Sequence, residues 1–493
     1  MTSPGHDGGR AGWFRYGPVC FIAFILILSF IARLPCLFIE RLWPDEALYL
    51  TFVQWFLNDP SSIFRTVILS GHPPLFPIIL SLGRYFAPDM AGFHAITVLI
   101  NLSGIVLVFE LARRSSGLFS GALGAVFLAV NVIYYQHAGL ILIDGLLTVA
   151  YLSLAIALLN ARLSGDLTDK RTLAGISAAA IFVCLCKGYG VFLVLPVLVL
   201  YFFIAFQDLK IVDRARSLGI TCFFGLLPLL PLFILSVDFL RTTGGPGVCF
   251  NQPAGYYPLI FNVLPGGPLQ LVSFVLGIYF LAALPGIRSL FYIMLIVPLA
   301  VMSFGAEKDI RYILPVVPLL AIIGGLGVKG VVDLCVRDPG HRRVVKWVVL
   351  LASLLLFVPF FQHKDEFLSD RGYTGYGEAG SWIRSHVAPQ DIIFAGSRRQ
   401  MRYVTGIGFG EDGGRIFPVR MPREQFHPVR TQRVASYLVV DRWEFFHQPD
   451  WLYPFDDIKK AALEKAGFVL VKEFHKVIWV FRYDPPALSK AGP

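Results

Sequence analysis

The stretch PLFPIILSLGRYF, residues 74–86, decides how the rest of the chain is laid out. It is apolar, but its 13 residues fall short of the roughly 20 that a helix needs to cross the hydrocarbon of a bilayer. Read as a span, it inverts the sidedness of everything downstream. Read as a helix lying along the outer surface, it leaves the following segments to alternate in the opposite sense. The distribution of basic residues chooses between the two. With residues 74–86 on the outer surface, residues 93–112 run inward to Arg113 and Arg114, and 118–134 return. Residues 145–159 then run inward to Arg162, Lys170 and Arg171, and 173–186 go out. Residues 191–206 come back to Lys210, Arg214 and Arg216, and 218–237 go out to a loop over 238–268 rich in Gly, Pro and aromatics. Residues 269–284 lead in to Arg288 and 290–304 lead out. Residues 312–328 lead in to Lys329, Arg337, Arg342, Arg343 and Lys346, and 347–361 lead out. Nearly every basic cluster then lies on one side, as cytoplasmic loops require.

Working outward, the first apolar run, residues 19–38, follows Arg10 and Arg15. It is long for the apolar region of a signal peptide and no small-x-small cleavage site follows it, so it is expected to stay as the first helix, with the N-terminus cytoplasmic. The expected fold is thus a polytopic α-helical membrane bundle of about eleven transmembrane helices. Composition agrees. Of 493 residues 56% are hydrophobic and only 15% charged, which excludes one large soluble enzyme, a disordered chain and a coiled coil. The excess of 43 Lys and Arg over 33 Asp and Glu, a net +10, is what cytoplasmic loops of a membrane protein produce, so nucleic acid is not an expected partner. The seven cysteines are scattered, with no Cys-x-x-Cys and none after Cys335.

From residue 362 the chain turns polar. Residues 391–395, 436–440, 468–471 and 477–481 read as strands. Residues 378–386 and 456–466 read as helices, with Asp456 as N-cap and Gly467 just past the C-terminus. Alternating strands and helices give an α/β domain over 362–493. The expected division is a membrane module over 1–361, whose first outer loop (40–91) carries juxtamembrane helices, and an extracytoplasmic C-terminal domain. The location follows: a multi-pass protein of the plasma membrane.

This layout gathers Asp45, Glu46, His72, Asp144, Lys187, Lys308 and Arg311 at one face of the membrane. Asp144 interrupts the apolar run 140–147, where a carboxylate is costly unless paired or solvated. A bland alternative is a carboxylate at a helix N-terminus, stabilised by the dipole. Asp45 and Glu46 follow Trp43-Pro44 and can cap the helix that starts there. Equally, a carboxylate at the membrane edge can deprotonate a hydroxyl acceptor. The pair can also hold a divalent metal, but no ligand spacing supports one, and the sequence requires no cofactor. Lys187 ends an apolar helix before Gly188-Tyr189-Gly190 and either snorkels or meets a phosphate. Arg311, near Lys308 at a helix entry, can grip phosphate bidentately or pair locally with Glu307 or Asp309. His72, before Pro73-Pro74, is a donor to phosphate or a plain loop residue.

Trp43-Pro44-Asp45-Glu46, His72-Pro73-Pro74-Leu75 and Leu142-Ile143-Asp144, in that order, resemble the membrane glycosyltransferases of the GT-C superfamily, in the branch of the protein O-mannosyltransferases and the lipid A aminoarabinose transferases. Lys187-Gly188 is similar to that branch's Lys-Gly. Arg311-Tyr312-Ile313-Leu314-Pro315-Val316-Val317-Pro318 is similar to its Arg-Tyr-x-Leu-Pro-x-x-Pro segment. The resemblance covers residues 43–318. It implies an inverting transfer of a monosaccharide from a polyprenyl- or dolichyl-phosphate donor to a protein hydroxyl, lipid or glycan. Carried over, Asp45 is the base or acceptor-orienting carboxylate, Glu46 supports it, and Asp144 is a second active-site carboxylate. Lys187, Arg311 and the adjoining Tyr312, with His72 and Lys308, stand at the donor phosphate. His72 matches the mannosyltransferase branch, since the aminoarabinose branch has Lys there. The C-terminal α/β domain departs from the eukaryotic protein mannosyltransferases and resembles the prokaryotic type. Gly396-Ser397-Arg398-Arg399-Gln400 looks typical of such domains, without a role the sequence supplies.

Two other classes compete. A transporter or flippase for an anionic polyprenyl-phosphate-type substrate fits a polytopic bundle, but transporters place ionisable groups near mid-bilayer and show repeated halves, and no repeat is visible here. A sensor or scaffold built around the C-terminal domain leaves the carboxylates and cations of the early loops without a job.

Overall fold

In the computed structural model, described residues are 8–39, 41–62, 72–87, 89–188, 190–232, 234, 267–304, 310–367, 374–407, 415–419, 436–442 and 451–483. The expected loop over 238–268 lies almost wholly outside them. The chain is predominantly helical with one small C-terminal sheet. It divides into two compact units: residues 1–38 with 55–368, and residues 39–54 with 369–493.

The first unit is a multi-pass membrane bundle. Among the described residues, Val19–Phe38, Met90–Ser116, Ile143–Ser164, Ile211–Leu232, Arg311–Cys335 and Pro339–Lys364 are long and apolar enough to cross a membrane. The stretch expected as one helix over 118–134 is instead Leu118–Ala129 followed by Val132–Gly139, bent by 61°. The cause is local. The Asn131 side chain accepts from the Tyr134 amide, opening a new helix N-terminus where the old helix should continue. A carbonyl freed at the break, that of Ala129, is met by the guanidinium of Arg33, whose Nε also donates to Asn101 Oδ1 at 2.6 Å. Arg33 is fully buried at the end of the first helix, which stops there because Pro35 disfavours helical geometry at residue 34. Shorter apolar helices stand at 190–205, 268–282 and 285–301, where the sequence places membrane segments. Length and composition qualify six spans, or seven with the bent pair, so the number eleven remains an expectation. Residues 74–86 form a short helix, Leu75–Ser81, and a 3-10 turn, Leu82–Tyr85.

Helix Val317–Cys335 packs on two neighbours through glycines, as helices do where no water drives them together and close backbone approach must supply the contact. A Cβ on Gly327 would lie 2.0 Å from the Ser273 carbonyl oxygen of helix Pro268–Ala282, and one on Gly325 would lie 2.8 Å from that of Ser120. Gly327→Ala is therefore expected to lower stability by about 1–3 kcal/mol, the usual range for overpacking. Gly175→Ala, where the added methyl meets nothing within 4 Å, should be neutral or slightly stabilising because alanine favours helix. Unfolding midpoints in one detergent check the contrast.

The second unit holds a five-stranded sheet in the order β2-β1-β3-β5-β4, with β1 Ile392–Ala395, β2 Ile416–Pro418, β3 Ser436–Asp441, β4 Val469–Phe474 and β5 Ile478–Tyr483. β1 pairs in parallel with β2 and β3; β5 pairs antiparallel with β3 and β4. β3 is buried at every position, as a central strand covered on both faces must be. Four strands fall where the sequence places them. β2 and the helix Arg398–Thr405 do not appear in the sequence reading: one is three residues long, the other eight with three arginines. Helix Asp457–Lys465 begins as expected, with Asp456 accepting from the Lys459 amide, and Gly467 adopts φ 96° beyond its end.

Candidate active site

In the membrane unit Lys187 meets Asp144, and Tyr312 and Arg311 adjoin that lysine. The chain arrives extended at Leu142 and enters the helix Ile143–Ser164, which places Asp144 in its first turn, 2% exposed. Helix Lys170–Cys186 ends at Lys187, whose extended backbone leaves the ladder. The turn that follows is tight: a Cβ on Gly190 would meet the Val183 carbonyl oxygen at 2.7 Å. Lys187, 6% exposed, places Nζ 2.7 Å from Asp144 Oδ1. The same ammonium sits over the Tyr312 ring, 4.6 Å from its centroid, and the Arg311 guanidinium lies 5.2 Å from that centroid. One aromatic ring thus attracts two cations, a favourable use of its quadrupole. His137 precedes the helix Ile143–Ser164, with its Nδ1 2.8 Å from the Ile133 carbonyl oxygen. The buried carboxylate pairs with the buried lysine, and the half-buried arginine stands against the same tyrosine ring as that lysine.

His72 is half-buried in the turn that enters helix Leu75–Ser81. Lys308, with Glu307 and Asp309, lies outside the described residues.

Asp45 and Glu46 are found in the second unit and part company there. Pro44 opens the helix Pro44–Asn58, the position where a missing N–H costs nothing. Glu46, three residues on from Trp43 and fully buried, reaches back to accept from the Trp43 amide at 2.7 Å, the returning half of a capping box. Asp45 instead meets Arg399, with Nη1 to Oδ1 at 2.7 Å and both side chains partly exposed. Arg399 is in helix Arg398–Thr405, directly after β1. This partner was not identified from sequence. A signal was there, two adjacent arginines after a strand and a Gly-Ser, but nothing in the chain links them to a carboxylate 354 positions earlier.

That helix is well anchored. Arg402 Nη2 donates to the Ile416 carbonyl at 3.0 Å, and burial pushes the Tyr403 phenol up to about 12. At its start, Ser397 Oγ donates to Asp441 and accepts from the Tyr376 hydroxyl at 2.8 Å. Among the described residues, no group of three or more His, Cys, Asp or Glu is arranged to hold a metal ion.

No protein-family model and no curated protein sequence matches this chain. Solved structures do. ArnT from Cupriavidus metallidurans in the apo state aligns with a TM-score of 0.62 at 16% identity, over 96% of this chain and 98% of that one. The same protein bound to undecaprenyl phosphate aligns with a TM-score of 0.62 at 17% identity, over 98% and 99%. At such identity the likeness speaks to architecture. Over nearly its whole length, this chain has the fold of those ArnT structures.

Proposed function

We propose that the chain is an inverting glycosyltransferase that moves a monosaccharide from a polyprenyl-phosphate donor to a hydroxyl acceptor on the outer face of the membrane. The observation that carries this reading is the buried Asp144–Lys187 pair with the half-buried Tyr312 and Arg311 beside it, in a fold shared with a protein solved bound to undecaprenyl phosphate. A phosphate monoanion or dianion is the ligand that two cations around one aromatic ring suit best, and Arg adds a bidentate grip.

In this reading Lys187 and Arg311 hold the donor phosphate, and His72 and Lys308 belong to the same cationic set. Asp144 orients Lys187. Asp45 takes the proton of the acceptor hydroxyl as its oxygen forms a bond to the anomeric carbon. The bond from that carbon to the phosphate oxygen breaks, and the electron pair leaves with the polyprenyl phosphate, whose added charge falls on Lys187 and Arg311. Positioning and charge stabilisation supply the acceleration. Glu46 secures the helix start that carries Asp45. The acceptor is a protein hydroxyl, a lipid or a glycan, and the C-terminal unit is extracytoplasmic.

The test is a transfer assay with the protein in lipid nanodiscs, radiolabelled polyprenyl-phosphate sugars and a membrane lysate as acceptor. Label passing to an acceptor, and lost with Asp45→Asn, is the expected result. Well-folded protein that transfers from no donor, yet moves a labelled polyprenyl phosphate between leaflets, would replace this reading by that of a flippase.

A further inference from the structure

Asp45 can act as a base only if its carboxylate is held where the acceptor proton will be. It lies in the first turn of a helix, with its side chain 30% exposed. Pro44 lacks a donor, and the neighbouring Glu46 accepts from the Trp43 amide. A charged group that meets Asp45 comes from the far end of the chain. Arg399 Nη1 donates to Asp45 Oδ1 at 2.7 Å, a charge-assisted contact within the unit that joins residues 39–54 to residues 369–493.

Arg399 is itself held from both sides. Its helix starts at Ser397, which is tied to Asp441 at the end of β3 and to Tyr376. The same helix is pinned one turn later by Arg402 to the Ile416 carbonyl at the start of β2. A Cβ on Gly380 would press on Val404 at 2.5 Å, so the helix also packs closely on Tyr376–His386. The guanidinium is thus presented by a sheet-backed element, the kind of support that holds a working carboxylate within a few tenths of an ångström.

We infer that Arg399 is a positioning residue for Asp45, so that the C-terminal α/β unit supplies part of the machinery of transfer. The inference rests on the proposed role of Asp45. It differs from a stabilising surface ion pair in a measurable way. A partly exposed pair contributes little to stability, so its loss should leave folding nearly unchanged. Misplacement of a catalytic group by about 1 Å, in contrast, can cost about 100-fold in rate.

The experiment uses the full-length protein in nanodiscs with the donor found in the transfer assay, and compares wild type, Arg399→Gln, Arg399→Lys and Asp45→Asn. Arg399→Gln is expected to lower kcat by about 10- to 100-fold, with the donor KM and the unfolding midpoint close to wild type. Arg399→Lys, which keeps a charge but not the fork, should recover a substantial part of kcat. Wild-type kcat in Arg399→Gln would overturn the inference. So would equal losses in both Arg399 variants accompanied by a drop in the unfolding midpoint, which would mark a structural contact. If wild type transfers and Asp45→Asn transfers equally well, the role of Asp45 falls and this inference falls with it. If only the Arg399 variants match wild type, the role of Asp45 stands and the inference alone is lost.

Discussion

Asp45→Asn is expected to reduce transfer by about 100- to 10,000-fold, the usual range for removing a general base. The substitution preserves shape and leaves an amide oxygen that can still accept from Arg399, so the helix Pro44–Asn58 should keep its start. That start depends on Pro44 and on the Glu46 contact with the Trp43 amide at 2.7 Å. What is lost is the ability to take a proton. The charge pair with Arg399 is lost too, but with side chains 30% and 39% exposed it contributes at most about 1 kcal/mol. The unfolding midpoint should therefore hardly move. Glu46→Gln should behave differently, because it weakens a buried capping contact while leaving Asp45 in place. A modest loss of stability together with a smaller loss of rate is expected there. Rates and midpoints measured on both variants separate the two carboxylates. Wild-type transfer by Asp45→Asn would exclude Asp45 as the base.

Much of this molecule can be read from sequence, and the parts that cannot share a cause. Asp144 stands out because a carboxylate within an apolar run is costly in a membrane, so its presence alone demands a partner. By the same logic Arg33, within the first apolar run, carried an equal signal that the reading by loops passed over. The structure shows it buried, on Asn101 and the Ala129 carbonyl. Lys187 and Arg311 were legible as cations, since charge type is local information. That Lys187 would lie against Asp144 was not, because the two are 43 positions apart on different helices and only the packing of those helices joins them. The bend after Ala129 was missed for a different reason. Asn131 is an unremarkable residue in an apolar stretch until its side chain caps the Tyr134 amide. In the C-terminal unit, long alternating or apolar strands were found and short ones were not. Helix Arg398–Thr405 has too little apolar pattern to declare itself, and it holds its shape through tertiary contacts such as that of Arg402 with Ile416. The same dependence on distant contacts hid the partner of Asp45.

The second large effect is expected at Asp144 and Lys187. Lys187→Met should destabilise the membrane unit by about 3–5 kcal/mol, because it leaves the Asp144 carboxylate, 2% exposed, without its 2.7 Å ammonium. Asp144→Leu should also destabilise, by removing the carboxylate that pairs with the buried ammonium, and by less than Lys187→Met because the contact of Lys187 with the Tyr312 ring remains. Combining the two changes should give a protein far more stable than either single variant. Neither charge is then left uncompensated, and an apolar pair of similar volume commonly matches or exceeds a buried ion pair in stability. Activity should follow the opposite course. If Lys187 holds the donor phosphate and Asp144 orients it, the double variant regains its fold and gains no transfer. The two residues were recruited to different roles in the sequence reading, as a second carboxylate and as a phosphate ligand, and their contact makes them one functional unit whose effects on rate cannot add. Unfolding midpoints and transfer rates across the four members of this cycle decide the matter. A double variant that recovers both stability and transfer would show the pair to be a packing device, and would move the phosphate-binding role to Arg311 and to residues outside this cluster.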